Sequence, residues 1–582
     1  MRKQSIHART HSWWPPQALG PAATPRGVDP WLKRQAARAR DRVDAAVGES
    51  CSHGVLGGRP RRARFGPRPV PRAPASEGSP IVGKDQGVES RVPDRDRRRG
   101  GWLAATFSVV ALAPSSFGAA AFAVPHAGAW SGALEVPGSL NTGVTSLGDP
   151  VFPGVNAISC PSADTCSAGG AYTDHLGNGQ AFVVNEVSGT WQRAEEVPGS
   201  ALLNVGGRAE VNTISCVSAG YCSAGGDYTG RGNRLETLVV KEVAGRWQPA
   251  IEVPESGVLN GSGDASVVSM SCRTQGNCSA GGYYAIRGEF QAFVVDEISG
   301  AWQRAEEVPG TGVLNVGGNA KVRSVSCASA GDCSAGGYYA TGKSKFGAFV
   351  ANEVNGTWER AEEVPNTARL DTGHLAGLDA LSCNAVGACN AVGDYLMFQK
   401  SRTFDQPFVV SEQQGVWGKA VSLPLPPGLI AAGQVDPTAL SCATTGNCTL
   451  GGSYWNRSGH WLVWTASDVA GTWHGAREIP GTAALNAGDN AQVNSVSCGL
   501  AEYCAVGGYV TTARKALQAF VVLETGGVWH GAQILPNSER LNTGNSAEVN
   551  AVSCTVSGFC GVGGDYTARG GSQQLLVANF QP

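Results

Sequence analysis

The chain has 582 residues, of which 80 are Gly, 31 Pro, 17 Cys and 16% charged. Its 45 Lys and Arg against 47 Asp and Glu give a formal net charge of −2, but residues 1–129 hold 21 of the bases and 9 of the acids, which leaves 24 and 38 from residue 130 onward. An acidic balance there gives no sign of a general nucleic-acid or membrane binder.

Residues 1–94 are rich in Arg, Pro, Ala and Gly, show no periodicity and contain the unpaired Cys51. They read as a disordered basic segment or as a gene start placed too far upstream. The next methionine after Met1 is Met270, so a later start would use a codon such as that of Val88 or Val92.

Residues 95–129 read as a signal peptide and cleavage region. Arg95-Asp96-Arg97-Arg98-Arg99 is the basic stretch, 102–113 (WLAATFSVVALA) the apolar run, and Ala121-Phe122-Ala123 or Ala127-Gly128-Ala129 the small-x-small site. Pro114 interrupts the run, which argues against a spanning helix. No cysteine follows to carry a lipid. Arg98-Arg99 also admits a twin-arginine reading, but disulfide formation outside the cytoplasm fits the general secretory route better. Secretion is expected, with no membrane insertion once the signal is removed.

From residue 130 the chain repeats. Eight cysteine pairs recur at steps of 55 to 59 residues: Cys160/Cys166, Cys216/Cys222, Cys272/Cys278, Cys327/Cys333, Cys383/Cys389, Cys442/Cys448, Cys498/Cys504 and Cys554/Cys560. Trp191, Trp247, Trp302, Trp358, Trp417, Trp473 and Trp529 keep the same beat. Within one unit, 211–216 (VNTISC), 222–228 (CSAGGDY), 237–243 (TLVVKEV) and 247–253 each read as a strand between turn signals. Four short strands per repeat predict an all-β, eight-bladed β-propeller over 130–582. The last unit ends in its third strand (575–580), while 130–137 (WSGALEVP) matches the fourth-strand stretch 191–198 (WQRAEEVP). The N-terminal strand is therefore expected to complete the last blade and cover its edges.

The turn before each tryptophan resembles the Asp-box of sialidase-like propellers. The nearest stretch is Ser467-Asp468-Val469-Ala470-Gly471-Thr472-Trp473, one residue short between Gly and Trp, and most other units lack the Asp. The Ser-Cys-x5-Cys-x-x-Gly-Gly pattern is similar to repeats of exported bacterial propellers with no single shared function. The sialidase resemblance implies three arginines, a Tyr-Glu pair and an acid Asp, and no motif places them here.

Sixteen matched cysteines predict eight disulfides, each spanning the first hairpin of its repeat, and an oxidising compartment. A metal reading fails on ligand count, since a two-cysteine hairpin lacks a structural zinc site's four ligands. No metal or cofactor is expected. His175, His374, His460, His474 and His530 lack ligand spacing, and no nucleophile turn or phosphate loop appears.

Chemistry is expected on the variable loops between second and third strands. These carry Arg231, Arg234, Arg287, Lys343, Lys345, Lys400, Arg402, Arg457, Arg514, Lys515 and Arg569, either as solubilising tips or as an anion-accepting face. The pairs Glu195/Glu196, Glu306/Glu307 and Glu362/Glu363 fall on outer strands. Trp455 and Trp461 flank a loop and can stack on a sugar or on each other, whereas Trp464 takes the core place of Phe182. The repeated Leu-Asn-x-Gly connections at Asn204, Asn260, Asn315, Asn486 and Asn542 read as turn chemistry rather than calcium sites. Four residues before each first cysteine stand Asn156, Asn212, Val268, Arg323, Asp379, Thr438, Asn494 and Asn550, candidate channel liners in which Arg323 and Asp379 can pair.

Together these readings describe a secreted, monomeric, non-enzymatic scaffold for an extracellular polymer or protein, such as an anionic glycan. The alternative is a sialidase-like hydrolase or lyase, which two facing carboxylates with an arginine at the channel mouth would favour.

Overall fold

A computed structural model describes residues 128–138, 140, 153–399, 402–430 and 433–582. The basic segment, Cys51, the apolar run and Lys400 lie outside the described residues.

The described chain is all-β apart from one-turn helices. Six five-stranded antiparallel sheets and one ten-stranded sheet follow the cysteine repeat, the latter holding the fifth and sixth repeats. The two join at one parallel pairing, Asp405 with Gln434. Equivalent single bridges, Leu235–Asp264, Phe290–Asn319 and Phe346–Leu375, link other neighbours.

The second repeat shows the unit. Its first three strands are Ala209–Ser218, Tyr221–Thr229 and Leu235–Val243, each slightly longer than the sequence pattern predicts. The expected fourth strand is instead two dipeptides, Arg246–Trp247 and Ile251–Glu252. Between them the Ala250 N–H leaves its own sheet and donates to the Pro198 carbonyl of the preceding repeat at 2.7 Å. That bond recurs at every repeat, and Ala133 closes the series on Pro536 at 2.7 Å. The first strand also departs from plain alternation. A bulge at Asn212 lets Val211 and Ile214 enter the same core cluster.

The core lies between successive sheets. Ala181, Val183 and Val197 of the first repeat pack with Val211, Ile214 and Leu238 of the second. In seven of the eight repeats a glycine pair in the second strand permits close packing within and between sheets; the fifth has Val392-Gly393 there. A Cβ on Gly226 would lie 1.9 Å from the Glu210 carbonyl oxygen, and one on Gly225 would lie 2.6 Å from Val267 Cγ1 in the next repeat. The final and first repeats pack likewise, with Leu575, Val577 and Phe559 against Val155 and Ile158.

At the chain ends, Trp130 pairs with Phe580 and Leu134 with Val577. This is the pairing that the surplus N-terminal strand predicts.

All eight cysteine pairs form disulfides inside their own repeats: Cys160–Cys166, Cys216–Cys222, Cys272–Cys278, Cys327–Cys333, Cys383–Cys389, Cys442–Cys448, Cys498–Cys504 and Cys554–Cys560. Their Cα–Cα distances are 3.8–4.1 Å. The pairing agrees with the sequence, and the setting adds to it. Cys166, Cys222, Cys278, Cys333, Cys389, Cys448, Cys504 and Cys560 are 0–5% exposed and belong to the core. Cys166 packs with Ile158 and Phe559, and Cys560 with Val549 and Val552. Cys333 Sγ lies 3.2 Å from Ser279 Oγ, and Cys389 Sγ 3.3 Å from Ser334 Oγ, each serine belonging to the preceding repeat. The cause is the alternation of the second strand, which turns this sulfur toward the neighbouring sheet rather than toward water. These cysteines therefore join the packing between repeats and offer no surface to a ligand.

The connections contain four-residue helices such as Ser200–Leu203 and Ser256–Leu259, too short for periodicity to reveal. Six of them start from a residue of left-handed backbone, Gly199 and Glu255 in these two. The following asparagine is a strut, as the turn reading holds. Asn260 Nδ2 donates to the Leu235 carbonyl at 2.8 Å, and its Oδ1 accepts from the Asp264 N–H at 2.9 Å.

Candidate binding face

The connections and the second-to-third loops share one side of each sheet. Gly179 donates to the Gly207 carbonyl and Leu235 to the Gly263 carbonyl, each at 2.9 Å. On the opposite side the cysteine turn meets the third-to-fourth turn, where Gly245 donates to the Gly220 carbonyl at 3.0 Å.

Most of the candidate cations stand exposed on the loop side: Arg231, Arg287, Lys343, Lys345, Arg402, Arg457, Arg514 and Arg569. Two candidates have structural duties instead. Arg234 pairs with Glu236 at 2.9 Å and reaches the Asn260 carbonyl, and Lys515 Nζ donates to the Gly488 carbonyl at 2.7 Å. They are spread one or two to a repeat from the second repeat to the eighth, while the 174–178 loop of the first repeat carries none.

Trp455 and Trp461 pack edge to face, with centroids 5.4 Å apart at 66°, so they form no flat stacking platform. Trp455 keeps 40% exposure. Trp464 is fully buried, as its alignment with Phe182 predicts. Nearby, His460 Nδ1 lies 3.3 Å from Asp489 Oδ1.

Arg323 pairs with Asp379 at 3.1 Å across two repeats, as the sequence register predicts. Its guanidinium also lies 5.0 Å from the centre of the Tyr338 ring. The asparagines at the same position turn out to be pins rather than free liners. Asn156 donates to the Val211 carbonyl at 3.0 Å, Asn494 to Val549 at 2.8 Å and Asn550 to Val155 at 3.1 Å.

A polar cluster beside them escaped the sequence reading. Arg208 contacts Glu210 at 2.6 Å and Asp227 at 3.4 Å. Those two carboxylates face each other across the first and second strands. Asp227 also accepts from Ser266 Oγ at 2.7 Å and from Asn212 Nδ2 at 3.1 Å. Asp227, then Glu210, hold the Arg208 guanidinium firmly charged against the opposing effect of burial. Further along, Lys321 is only 5% exposed, with Nζ 3.8 Å from the Tyr283 ring centre and 4.3 Å from that of Phe290. The available signal was variability inside the repeat. Six residues before each first cysteine stand Gly154, Glu210, Ser266, Lys321, Gly377, Asp436, Gln492 and Glu548.

The outer glutamates pair with tyrosines. Tyr172 donates to Glu196 at 2.9 Å, Tyr284 to Glu307 at 3.0 Å, and Tyr566 to Glu135 at 3.0 Å across the chain ends. Most units that lack the Asp of the Asp-box-like stretch carry another acid in its place. The place of Asp468 is held by Glu186, Glu242, Glu297, Glu353, Glu412 and Glu524 in six other units. All seven acids are buried, and several accept from the preceding repeat: Ser223 donates to Glu297 at 3.0 Å, Ser279 to Glu353 at 3.2 Å and Asn352 to Glu412 at 2.7 Å. Burial raises the carboxyls of Glu186, Glu353 and Glu524 to about 7.

Among the described residues no helix is long and apolar enough to cross a membrane, and no three His, Cys, Asp or Glu gather as a metal site.

The chain matches no protein-family model and no curated protein. Among solved structures it is similar to Sqt1 of Chaetomium thermophilum, at 10% identity over 74% of this chain and 96% of that one, with a TM-score of 0.43. It is also similar to the Hadza microbial sialidase Hz136, at 10% identity over 68% of this chain and 79% of that one, with a TM-score of 0.34. A protein of unknown function from Dyadobacter fermentans matches at 9% identity over 78% of this chain and 99% of that one, with a TM-score of 0.35.

Proposed function

We propose that residues 130–582 form a closed, eight-bladed propeller that is exported and acts as a non-enzymatic binding module for an anionic polymer, such as an acidic glycan of a cell envelope. Closure is supported by the proline-carbonyl bonds that return from Ala133 to Pro536. Export is supported by the eight disulfides, which form in oxidising compartments.

The observation that carries the binding reading is the row of exposed cations on one side of an otherwise acidic chain. Spread over successive repeats, they favour an extended partner that engages several at once. Attraction between exposed charges is screened within about 10 Å at 0.1 M salt. Binding to an acidic polysaccharide should therefore fall steeply with added salt. Replacing Arg287, Lys343, Lys345 and Arg402 by Ser should weaken it at unchanged melting temperature. No binding at low salt, or binding indifferent to both changes, defeats this reading.

A second reading, a glycan-processing enzyme, draws on Glu210 and Asp227 beside Arg208. Both carboxylates are already committed to that guanidinium, and Asp227 is 2% exposed, which weighs against it. Release of reducing ends from acidic glycans, abolished by E210Q or D227N, would establish it instead.

A further inference from the structure

The loop side carries aliphatic side chains as well as cations. Leu176 is 72% exposed in the loop of the first repeat, Leu202 85% and Val205 58% on the next connection, Val258 76% on the one after, and Val313 66% and Val316 79% on the one after that. Leu202, Val258 and Val313 are equivalent residues, each the third of its one-turn helix. The same place is held by Arg369, the buried Leu429, Ala484 and Arg540 in later connections, so the exposed aliphatic residues at this place are confined to the first four repeats. Arg231, Arg287, Lys343 and Lys345 stand exposed on the loops between these connections. The acids nearest the one-turn helices are committed to bonds: Glu196, Glu252 and Glu307 accept from Ser200, Ser256 and the Gly312 N–H, and from Tyr172, Tyr228 and Tyr284. Glu255 pairs with Arg304, Asp174 is bound within its own loop, and Glu289 stands exposed.

Resting on the reading that the loop side is the ligand face, we propose that the first four repeats dock on the surface of an anionic lipid bilayer. Their aliphatic side chains enter the headgroup boundary, and the interleaved cations meet headgroup phosphates. A hydrated polysaccharide leaves isolated Leu and Val side chains in water, since they neither hydrogen-bond nor stack on sugar rings. A protein interface draws on a contiguous, closely packed core. Here the apolar groups come as separate points, one or two to a repeat, with basic residues between them. That distribution suits a fluid surface that accepts apolar wedges and attracts cations at once. The overall acidity of the repeats does not oppose docking, because the exposed loop charges of these repeats are mostly basic, Arg231, Arg287, Lys343 and Lys345 against Glu289, and screening limits the reach of the rest.

The test reads insertion at one residue. The full chain carrying C51S and V313C is labelled with an environment-sensitive fluorophore at residue 313, and a second preparation carries C51S and V187C on the opposite, cysteine-turn side. Vesicles of phosphatidylglycerol and phosphatidylcholine should shift the emission at 313 to the blue and leave that at 187 unchanged. Vesicles of phosphatidylcholine alone should shift neither. In a second arm without the label, replacing Leu202, Val258, Val313 and Val316 by Ser should weaken binding to the anionic vesicles at least tenfold and spare binding to an acidic polysaccharide. Vesicle binding with no shift at 313 overturns the proposal, as does a shift equal at both positions. A shift that follows protein concentration without vesicles also overturns it and points to a second copy. Polysaccharide binding that needs Lys343 and Lys345 while vesicles are ignored overturns the bilayer and leaves the polyanion reading intact.

Discussion

The Cys160 N–H donates to Ser553 Oγ at 2.9 Å, although the two residues lie 393 positions apart. The same bond joins each neighbouring pair of repeats: Cys216 to Ser159, Cys272 to Ser215, Cys327 to Ser271, Cys383 to Ser326, Cys442 to Ser382, Cys498 to Ser441 and Cys554 to Ser497, at 2.9–3.1 Å. The serine before each first cysteine is thus an inter-repeat pin, and the bond from Cys160 treats the first and last repeats as neighbours like any others.

Removing one pin orphans a partly buried N–H, which costs about 1–3 kcal/mol. Ser553→Ala should therefore destabilise the protein as much as Ser326→Ala, measured by the midpoint of urea unfolding. A neutral Ser553→Ala beside a costly Ser326→Ala would show that the end repeats are not joined.

The buried acids make stability depend on pH. Glu353 is raised from 4.5 to about 7, first by burial and then by Asp296, with Asp332 and Glu306 adding to the rise and Ser279 opposing it. A raised folded-state value means that the neutral form is favoured on folding. This contribution is full below about pH 4.5 and is lost as the pH climbs through about 7. Glu353→Gln keeps a neutral acceptor for Ser279, so it should raise stability at pH 8 by on the order of 1 kcal/mol and leave it nearly unchanged at pH 4.5. Melting curves of both proteins across this range provide the comparison.

Each disulfide closes a short loop, worth about 2 kcal/mol in the chain-entropy account. Replacing Cys442 and Cys448 together by Ser should lower stability by at least that amount, because Cys448 is also core, and leave the other seven bridges in place. Peptide mapping without reductant should recover seven intrarepeat pairs, and any bridge between repeats would count against the assignment.

Gly226→Ala should be severe, because its Cβ would sit 1.9 Å from a backbone oxygen that cannot swing aside. Overpacking of this kind costs about 1–3 kcal/mol or more. Gly232→Ala tests another glycine of the same repeat, one whose added Cβ meets nothing within 4 Å, so only its φ of +75° opposes the change. Thermal unfolding of the two variants should rank Gly226→Ala well below Gly232→Ala.

Much of this architecture was legible in the residues. The period of the cysteine pairs counts the repeats, the turn spacing sets three strands in each, and their common separation names disulfide partners that lie directly opposite in register, as at Cys216 and Cys222. The surplus strand at 130–137 announces its pairing with the last repeat. These are local or repeated facts, and a strand's period of two and a hairpin's length suffice to carry them. Only the tertiary structure decided what passes between sheets. It turned the serines before the cysteines and the asparagines beyond them into pins, sank the second cysteine of each pair into the core, buried seven acids in the turn region, and broke the fourth strand so that Ala250 could reach Pro198. It also assembled Arg208, Glu210 and Asp227, which no motif links. The physical reason is that most of these contacts join residues about one repeat apart: the serines, asparagines and glycines recur with the period, but the period does not say which group of the neighbouring sheet each one meets, while Arg208, Glu210 and Asp227 meet inside one repeat through strand register.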